Sequence, residues 1–147
     1  MNKTYGRVGF FEKGRLVKAA QNVELILRRG ETLGVVGESG SGKELISRKI
    51  HKNSKRKKGP FVILNGALLD VKKYELELFG EERNNGSIAY GALEKATGGI
   101  LLIDEVSEIP LETQSKILRV LIDQKFKRIN GDHDINVDVR IICSSSK

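Results

Sequence analysis

The sequence predicts an α/β protein, arranged as a three-layer α/β/α sandwich around a mostly parallel sheet. Apolar runs of strand length alternate with segments whose apolar residues recur at helical spacing, a pattern typical of parallel strands joined by helical crossovers. One such run, 32–36, leads into a glycine-rich turn, and another, 100–103, ends in two acidic residues. With 147 residues the chain can bury a core as one domain, so we expect a single domain over 1–147.

Local patterns indicate where each element lies. Pro110 suits the first position of a helix, Gly98 and Gly99 are placed to stop one, and 130–132 reads as a hairpin turn. In chain order the predicted elements are β segments at 16–19 and 23–27, a strand at 32–36, a helix at 44–52, a strand at 61–65, a short helix at 74–79, a turn at 84–87, a helix at 88–96, a strand at 100–103, a helix at 110–124, a hairpin from 126–129 to 134–137 and a strand at 139–143.

The glycine-rich turn predicts a phosphate-binding loop of the Walker A type. Glycines at this turn allow positive φ, so that successive backbone N–H groups can point at an anion. A strand precedes the turn and a helix follows it, which places the phosphates at a helix N-terminus with Lys43 in reach of them. The predicted nucleotide-binding residues of this segment are Gly37, Glu38, Ser39, Gly40, Ser41, Gly42, Lys43 and Glu44.

The acidic pair at the end of the run 100–103 predicts the second half of a nucleotide site, a Walker B strand. Asp104 is the predicted ligand of Mg²⁺, and Glu105 is the predicted residue that orients a water for attack on the γ-phosphate. Glu44 occupies the position where a Ser or Thr hydroxyl normally binds Mg²⁺. The metal would therefore depend on Asp104, water and the phosphates, and the predicted cofactors are ATP, or GTP, and Mg²⁺.

Composition limits the remaining function classes. The formal charge is +7, and a basic run at 52–58 could contact nucleic acid, but its place between a helix and a strand favours a solvated loop, so direct DNA binding is disfavoured. Apolar runs are too short to span a bilayer, and no signal peptide is evident. A single cysteine, Cys143, excludes an internal disulfide, and the two histidines lack partners at zinc-ligand spacing. We expect a cytoplasmic protein without membrane or zinc contacts.

From the glycine-rich turn onward the sequence resembles the AAA+ ATPase domain of NtrC/NtrX-type sigma-54 activators. Within that family its residues are most similar to those of NtrX-like regulators of rickettsia-type bacteria. About three quarters of the chain carries the resemblance. The matching stretches are 37–44, Gly59-Pro60-Phe61, Leu64-Asn65, Glu77-Leu78-Phe79-Gly80, 98–105, 109–114, 118–121 and 137–142. The resemblance implies an ATP-binding domain of a two-component transcription regulator that can self-assemble through AAA+-type contacts, and a Glu after the loop lysine is usual in that family.

The resemblance also implies roles and departures. Asn65 is similar to the polar switch residue that pairs with the catalytic glutamate, so Glu105 and Asn65 are the predicted catalytic pair. The family's sigma-contacting loop is replaced by the shorter segment 81–87, which argues against contact with sigma-54, and the first-sensor Asn is replaced within Ser144-Ser145-Ser146. The sequence ends before the family's arginine fingers and helical lid. The expectation is therefore Mg-ATP binding with weak or no hydrolysis by this chain alone.

Residues 1–43 resemble a different family, the oligopeptide-transporter ABC ATPases, through 8–11, 14–19 and 27–43. Because the two resemblances meet in the phosphate loop, we predict a chimera, with an ABC-like β segment at 1–31 and an AAA+-like core at 32–147. The segment 15–28 is predicted to cover or flank the sheet edge beside the strand 32–36. Two other functions stay open: a non-catalytic interaction or DNA-associated module with a relic loop, and an ABC-type ATPase fragment, although no ABC signature sequence follows.

Overall fold

The computed structural model describes residues 3–5, 17–20, 33–37, 42–70 and 73–146. Strands and helices alternate over most of this range, as expected for an α/β protein. The strands are β1 (Lys3–Tyr5), β2 (Val17–Ala20), β3 (Leu33–Val36), β4 (Phe61–Asn65), β5 (Gly80–Glu82), β6 (Ile88–Tyr90), β7 (Ile100–Asp104), β8 (Lys125–Lys127), β9 (Asp134–Asn136) and β10 (Arg140–Ser145). The helices are α1 (Lys43–Asn53), α2 (Tyr74–Phe79), α3 (Ala92–Lys95) and α4 (Leu111–Asp123), with single 3₁₀ turns at Gly66–Leu68 and Val106–Glu108.

The central sheet is four-stranded and parallel, in the order β3-β10-β7-β4. Neighbours in this order are not consecutive in the sequence, because each crossover carries the chain over a face of the sheet. The register places Asn65 opposite Asp104 and Ser145 opposite Val36, so the carboxyl ends of all four strands meet at one edge. The predicted three-layer fold with a mostly parallel sheet is confirmed.

Strand β7 shows how the layers form. Its residues are apolar at every position of Ile100–Ile103 and at most 1% exposed, as expected for a strand covered on both faces. Leu101 and Ile103 pack in the larger core cluster, which also contains residues of α2, α3 and α4. Ile100 and Leu102 pack in a smaller cluster with Ile50 of α1. Helix α1 therefore covers one face of the sheet, and the other three helices cover the opposite face.

The prediction of a helix at 88–96 is wrong for its first residues. Residues Ile88–Tyr90 form strand β6, which pairs antiparallel with Gly80–Glu82, and only Ala92–Lys95 is helical. Between them Gly91 is extended, and a Cβ on it would lie 2.4 Å from the backbone nitrogen of Gly80. The pairing partner lies upstream across the turn at 84–87, so tertiary context overrides the local helical pattern here.

The N-terminal segment is described only in part. Val17–Ala20 is a strand, close to the predicted 16–19, and it pairs antiparallel with Lys3–Tyr5 in a separate two-stranded sheet. The second predicted segment, 23–27, lies outside the described residues. Among the described strands, β3 lies at one edge of the central sheet. Because most of 15–28 lies outside the described residues, its covering or flanking of this edge stays a prediction.

Candidate nucleotide-binding site

The candidate site lies at the carboxyl edge of the parallel sheet, where each strand contributes a residue. Gly37 follows β3, and Asn65 and Asp104 end β4 and β7. Ser144 of β10 follows Cys143, which pairs with Ile103, so the serine is level with Asp104. The crevice outside the carboxyl ends of the strands is the usual ligand position in open α/β sheets. The predicted loop residues Glu38, Ser39, Gly40 and Ser41 lie outside the described residues.

Lys43 begins helix α1 and is 8% exposed. Gly42, just before it, has φ 87°, a left-handed conformation that favours glycine at the turn into the helix. The Lys43 ammonium donates a hydrogen bond to the Gly37 carbonyl at 2.5 Å, and its Nζ lies 4.0 Å from Oε1 of Glu105. The amine therefore lies near the ends of both β3 and β7, and a positive charge sits at a helix N-terminus where anions are favoured.

Asp104 is held at both carboxylate oxygens. The hydroxyl of Ser144 donates to Oδ1, and the Asn65 amide Nδ2 lies 3.5 Å from Oδ2. These two partners come from the strands on either side of β7, so the parallel register itself fixes the carboxylate. Hydrogen bonds to a ligating carboxylate orient it for a metal ion.

Glu105 lies directly after the strand and has φ 53°, in the left-handed region that few non-glycine residues adopt. Its side chain is 15% exposed, and its Oε2 accepts two hydrogen bonds from Ser146, from the backbone N–H at 3.0 Å and from the hydroxyl at 2.8 Å. With Lys43 near its other oxygen, the carboxylate is fixed in direction. Unusual backbone geometry of this kind is often concentrated at functional sites.

Asn65 lies within the site, although its described contacts differ from the predicted pairing. Its Oδ1 accepts from the N–H of Ala67, which caps the 3₁₀ turn, and its Nδ2 points at Asp104. The predicted partner, Glu105, is the residue next to that aspartate. A switch role that pairs Asn65 with Glu105 stays a prediction.

The donor set fits Mg²⁺ in its usual protein environment. Mg²⁺ is commonly held by one or two carboxylates together with phosphate oxygens and water, and Asp104 supplies a half-buried carboxylate next to Glu105 in the chain. Glu44 is 55% exposed and its Oε1 accepts from Nε of Arg48 at 2.8 Å, so its side chain is engaged along the helix. Over the described residues, no three His, Cys, Asp or Glu side chains form a group that could hold a metal by themselves.

Sequence reasoning missed Ser144, near the end of β10, as a site residue. Ser144 is 1% exposed and Ser145 is 9% exposed, and the hydroxyl of Ser145 lies 3.0 Å from that of Ser107. Their signal in the sequence was three hydroxyl side chains at the end of an apolar strand. Their partners became visible only with the strand order, which places β10 between β3 and β7.

Comparison with known proteins identifies the family of this chain. A family model described as the sigma-54 interaction domain matches residues 10–147. The chain belongs to the sigma-54 interaction domain family. Within this family it is 49% identical over 114 residues to the nitrogen assimilation regulatory protein NtrX of Azorhizobium caulinodans, covering 77% of this chain and 25% of the relative. It is 46% identical over 117 residues to the regulatory protein AtoC of Escherichia coli, with the same coverage.

Solved structures show the same similarity. NtrX from Brucella abortus matches with a TM-score of 0.77 and 50% identity, over 80% of this chain and 26% of that one. NtrX from the same organism, solved in complex with ATP, matches with a TM-score of 0.75 and 49% identity over the same shares. This chain thus spans about a quarter of the length of these relatives. Among the described residues no helix is long and apolar enough to cross a bilayer.

Proposed function

We propose that this chain is the Mg-ATP-binding AAA+ domain of a bacterial transcription regulator of the sigma-54 activator type. The observation that supports it most is the approach of Lys43 Nζ to within 4.0 Å of Glu105, beside Asp104, at the N-terminus of helix α1. A lysine at a helix start and two acids at a neighbouring strand end are the groups needed to hold a triphosphate and its metal ion. Relatives solved with ATP and with ADP add support.

Each site residue has a proposed role. Lys43 contacts the β- and γ-phosphates, and the glycine-rich segment 37–43 is the phosphate-binding loop. Asp104 holds Mg²⁺, which when bound neutralises phosphate charge. Glu105 orients the attacking water, and Asn65 acts as the polar switch residue that pairs with Glu105.

We propose slow turnover for this chain by itself. Lys43 is a cation that a hydrogen bond and an ion pair bring to this edge. An arginine placed against the developing charge is worth roughly 10³ to 10⁵ in rate in related enzymes. If the residues that would supply such an arginine come from another copy, AAA+-type self-assembly would raise the rate.

The matching family model is described as the sigma-54 interaction domain, whereas the segment 81–87 leads us to propose that this chain lacks the sigma-54 contact. The segment 81–87 is folded into the hairpin of β5 and β6, where the N–H of Arg83 bonds the carbonyl of Ser87 at 2.9 Å and that of Glu82 bonds Ile129 at 2.9 Å. We expect no saturable binding of purified sigma-54 in light scattering, with or without Mg-ATP. Saturable binding that requires Mg-ATP would assign the contact to this chain.

A titration with a fluorescent ATP analogue and Mg²⁺ tests nucleotide binding. Lys43→Ala should weaken binding at least about tenfold, because charge-assisted hydrogen bonds to phosphate are strong. Lys49→Ala is the matched control, since Lys49 lies on the same helix and is exposed. The affinity of this variant for the ATP analogue should stay within about twofold of that of the parent chain. Equal and weak binding in all three proteins would refute the proposal.

Equal binding would instead favour an interaction module. The candidate surface of such a module is the basic run 52–58, whose lysines are exposed. This alternative predicts DNA binding that weakens steeply with salt. An ABC-like origin of 1–43, and hence a chimera, also stays a proposal; the family match begins at residue 10 and therefore includes most of that segment. A cytoplasmic location is proposed with the regulator assignment.

A further inference from the structure

Ser144 is a buried hydroxyl aimed at the predicted metal ligand. It is 1% exposed, and its hydroxyl donates to Oδ1 of Asp104. A serine inside the sheet gains little from packing and must satisfy its polar group. Ile141 and Ile142, earlier on the same strand, are fully buried apolar residues, so the change from isoleucine to serine occurs where the strand reaches the site.

The bond leaves one carboxylate oxygen better placed for a metal than the other. Oδ1 of Asp104 is engaged by a close hydroxyl, whereas the Asn65 amide at Oδ2 lies at 3.5 Å, a long contact. Rotation of the carboxylate about its Cβ–Cγ bond would break the Ser144 bond. The hydroxyl therefore restricts the orientation of the carboxylate, and Oδ2, whose described contact is the long one to Asn65, is the less engaged oxygen.

We propose that Ser144 is a positioning residue that orients Asp104 for the divalent cation of a bound metal-nucleotide. This inference rests on the proposed nucleotide-binding function. Mg²⁺ demands nearly ideal ligand geometry, and loss of a partner that orients a ligand typically costs roughly 10- to 100-fold in metal affinity. Ser144 acts through Asp104 and does not itself contact the nucleotide.

The neighbouring serines provide internal comparison because their hydroxyls have other partners. Ser145 is also buried, and its hydroxyl bonds Ser107 at 3.0 Å. Ser146 bonds Glu105. Ser145→Ala therefore removes a buried hydroxyl one residue away and leaves the Asp104 contact in place.

The test measures how much Mg²⁺ tightens nucleotide binding. The dissociation constant of a fluorescent ATP analogue is determined with excess Mg²⁺ and with EDTA, and the ratio of the two values is compared among the parent chain, Ser144→Ala and Ser145→Ala. We expect the ratio to fall about tenfold or more in Ser144→Ala and to change less than about twofold in Ser145→Ala. Affinity in EDTA should be nearly equal in all three, which a merely structural defect would not give.

A second readout counts the metal directly. Mn²⁺ bound to ADP-loaded protein is measured by electron paramagnetic resonance, and Ser144→Ala should bind it about tenfold more weakly. If Ser144→Ala fails to fold, Ser144→Cys, with similar volume and a weaker donor, carries both measurements under reducing conditions.

The outcomes separate the two proposals. If the parent chain binds Mg-nucleotide and Ser144→Ala keeps the parent ratio and the parent Mn²⁺ affinity, the role of Ser144 is refuted and the proposed function stands. If the parent chain binds no nucleotide, or binds it with no dependence on Mg²⁺, the proposed function fails and the role of Ser144 fails with it.

Discussion

Arg128 joins three separate elements, and its removal should destabilise the fold measurably. Its guanidinium donates two hydrogen bonds to Glu94 of α3, at 2.9 and 2.6 Å, and one to Glu82 of β5 at 3.0 Å. The side chain of Arg128 is 10% exposed and that of Glu94 is 13% exposed, whereas Glu82 is 35% exposed. These hydrogen bonds raise the pKa of Arg128, so it stays charged at every working pH.

The magnitude follows from burial. Removing one partner of a buried ion pair costs about 3 to 5 kcal/mol, because the other charge is left unpaired, whereas exposed pairs contribute about 0 to 1 kcal/mol. The Glu94 pair is nearly but not fully buried, and the Glu82 pair is partly screened by solvent. We therefore expect Arg128→Met to lower the free energy of unfolding by about 2 to 4 kcal/mol, or the melting temperature by on the order of 10 °C.

Urea denaturation followed by circular dichroism measures this loss, with a lower midpoint and an unchanged m value. Arg83→Met is the matched control, because Arg83 makes a 3.5 Å ion pair with Glu81 on the same hairpin while being 56% exposed. We expect that variant to lose less than about 1 kcal/mol. The double variant Arg128→Met/Glu94→Gln should lose less than Arg128→Met alone, since no unpaired carboxylate remains at position 94.

The region of the fold that Arg128→Met destabilises gives a further check. The hairpins β5–β6 and β8–β9 are joined by backbone bonds from Glu82 to Ile129 and from Ile129 to Gly80. If Arg128 holds these hairpins together, the amides of Glu82 and Ile129 should exchange faster in Arg128→Met, while those of β7 remain protected. A loss equal to that of Arg83→Met, with exchange unchanged at both amides, would refute the reasoning.

Three further predictions concern single positions. Gly99→Ala should lower the melting temperature far more than Gly86→Ala, because a Cβ on Gly99 would lie 1.9 Å from the Pro60 carbonyl oxygen. A Cβ on Gly86 would meet open space, so its φ of 80° is the remaining cost, about 1 kcal/mol. Similar losses of melting temperature in the two variants would contradict this. Burial raises the pKa of the Cys143 thiol, so at pH 8 it should react with Ellman's reagent more slowly folded than in urea, and equal rates would oppose it. Tyr74→Phe should cost about 1 to 2 kcal/mol in urea denaturation, because its buried hydroxyl bonds a backbone carbonyl at 2.5 Å; a neutral change would refute it.

Elements with strong local signals were predictable from the sequence. The strand at 61–65 and the helix at 74–79 have the predicted bounds, because a short apolar run or helical spacing is sufficient there. Strand β6 was not predictable, since its residues are in a strand only through pairing with β5. The contacts of Arg128 join residues 34 and 46 positions apart in the chain, beyond any local pattern.

The candidate site was predictable in part for the same reason. Lys43 and Asp104 stand in motifs whose spacing already indicates phosphate and metal binding, and the structure brings them to one edge. Ser144 lies in the run that replaces the family's first-sensor Asn, and no spacing in the sequence indicates that it contacts Asp104. Its role as a partner of Asp104 depends on β10 lying next to β7, which is a property of the strand order.

The core of the sheet determines where these site residues lie. Ile141 packs in the larger core cluster and Ile142 in the smaller one, and both are fully buried. A slip of β10 by one residue that placed Arg140 in the position of Ile141 would bury a charge in an apolar layer, at a cost of several kcal/mol. The same slip would move Ser144 away from Asp104. The apolar packing in the middle of the strand therefore fixes the register, and the register places the Ser144 hydroxyl against the Asp104 carboxylate at the end of the strand.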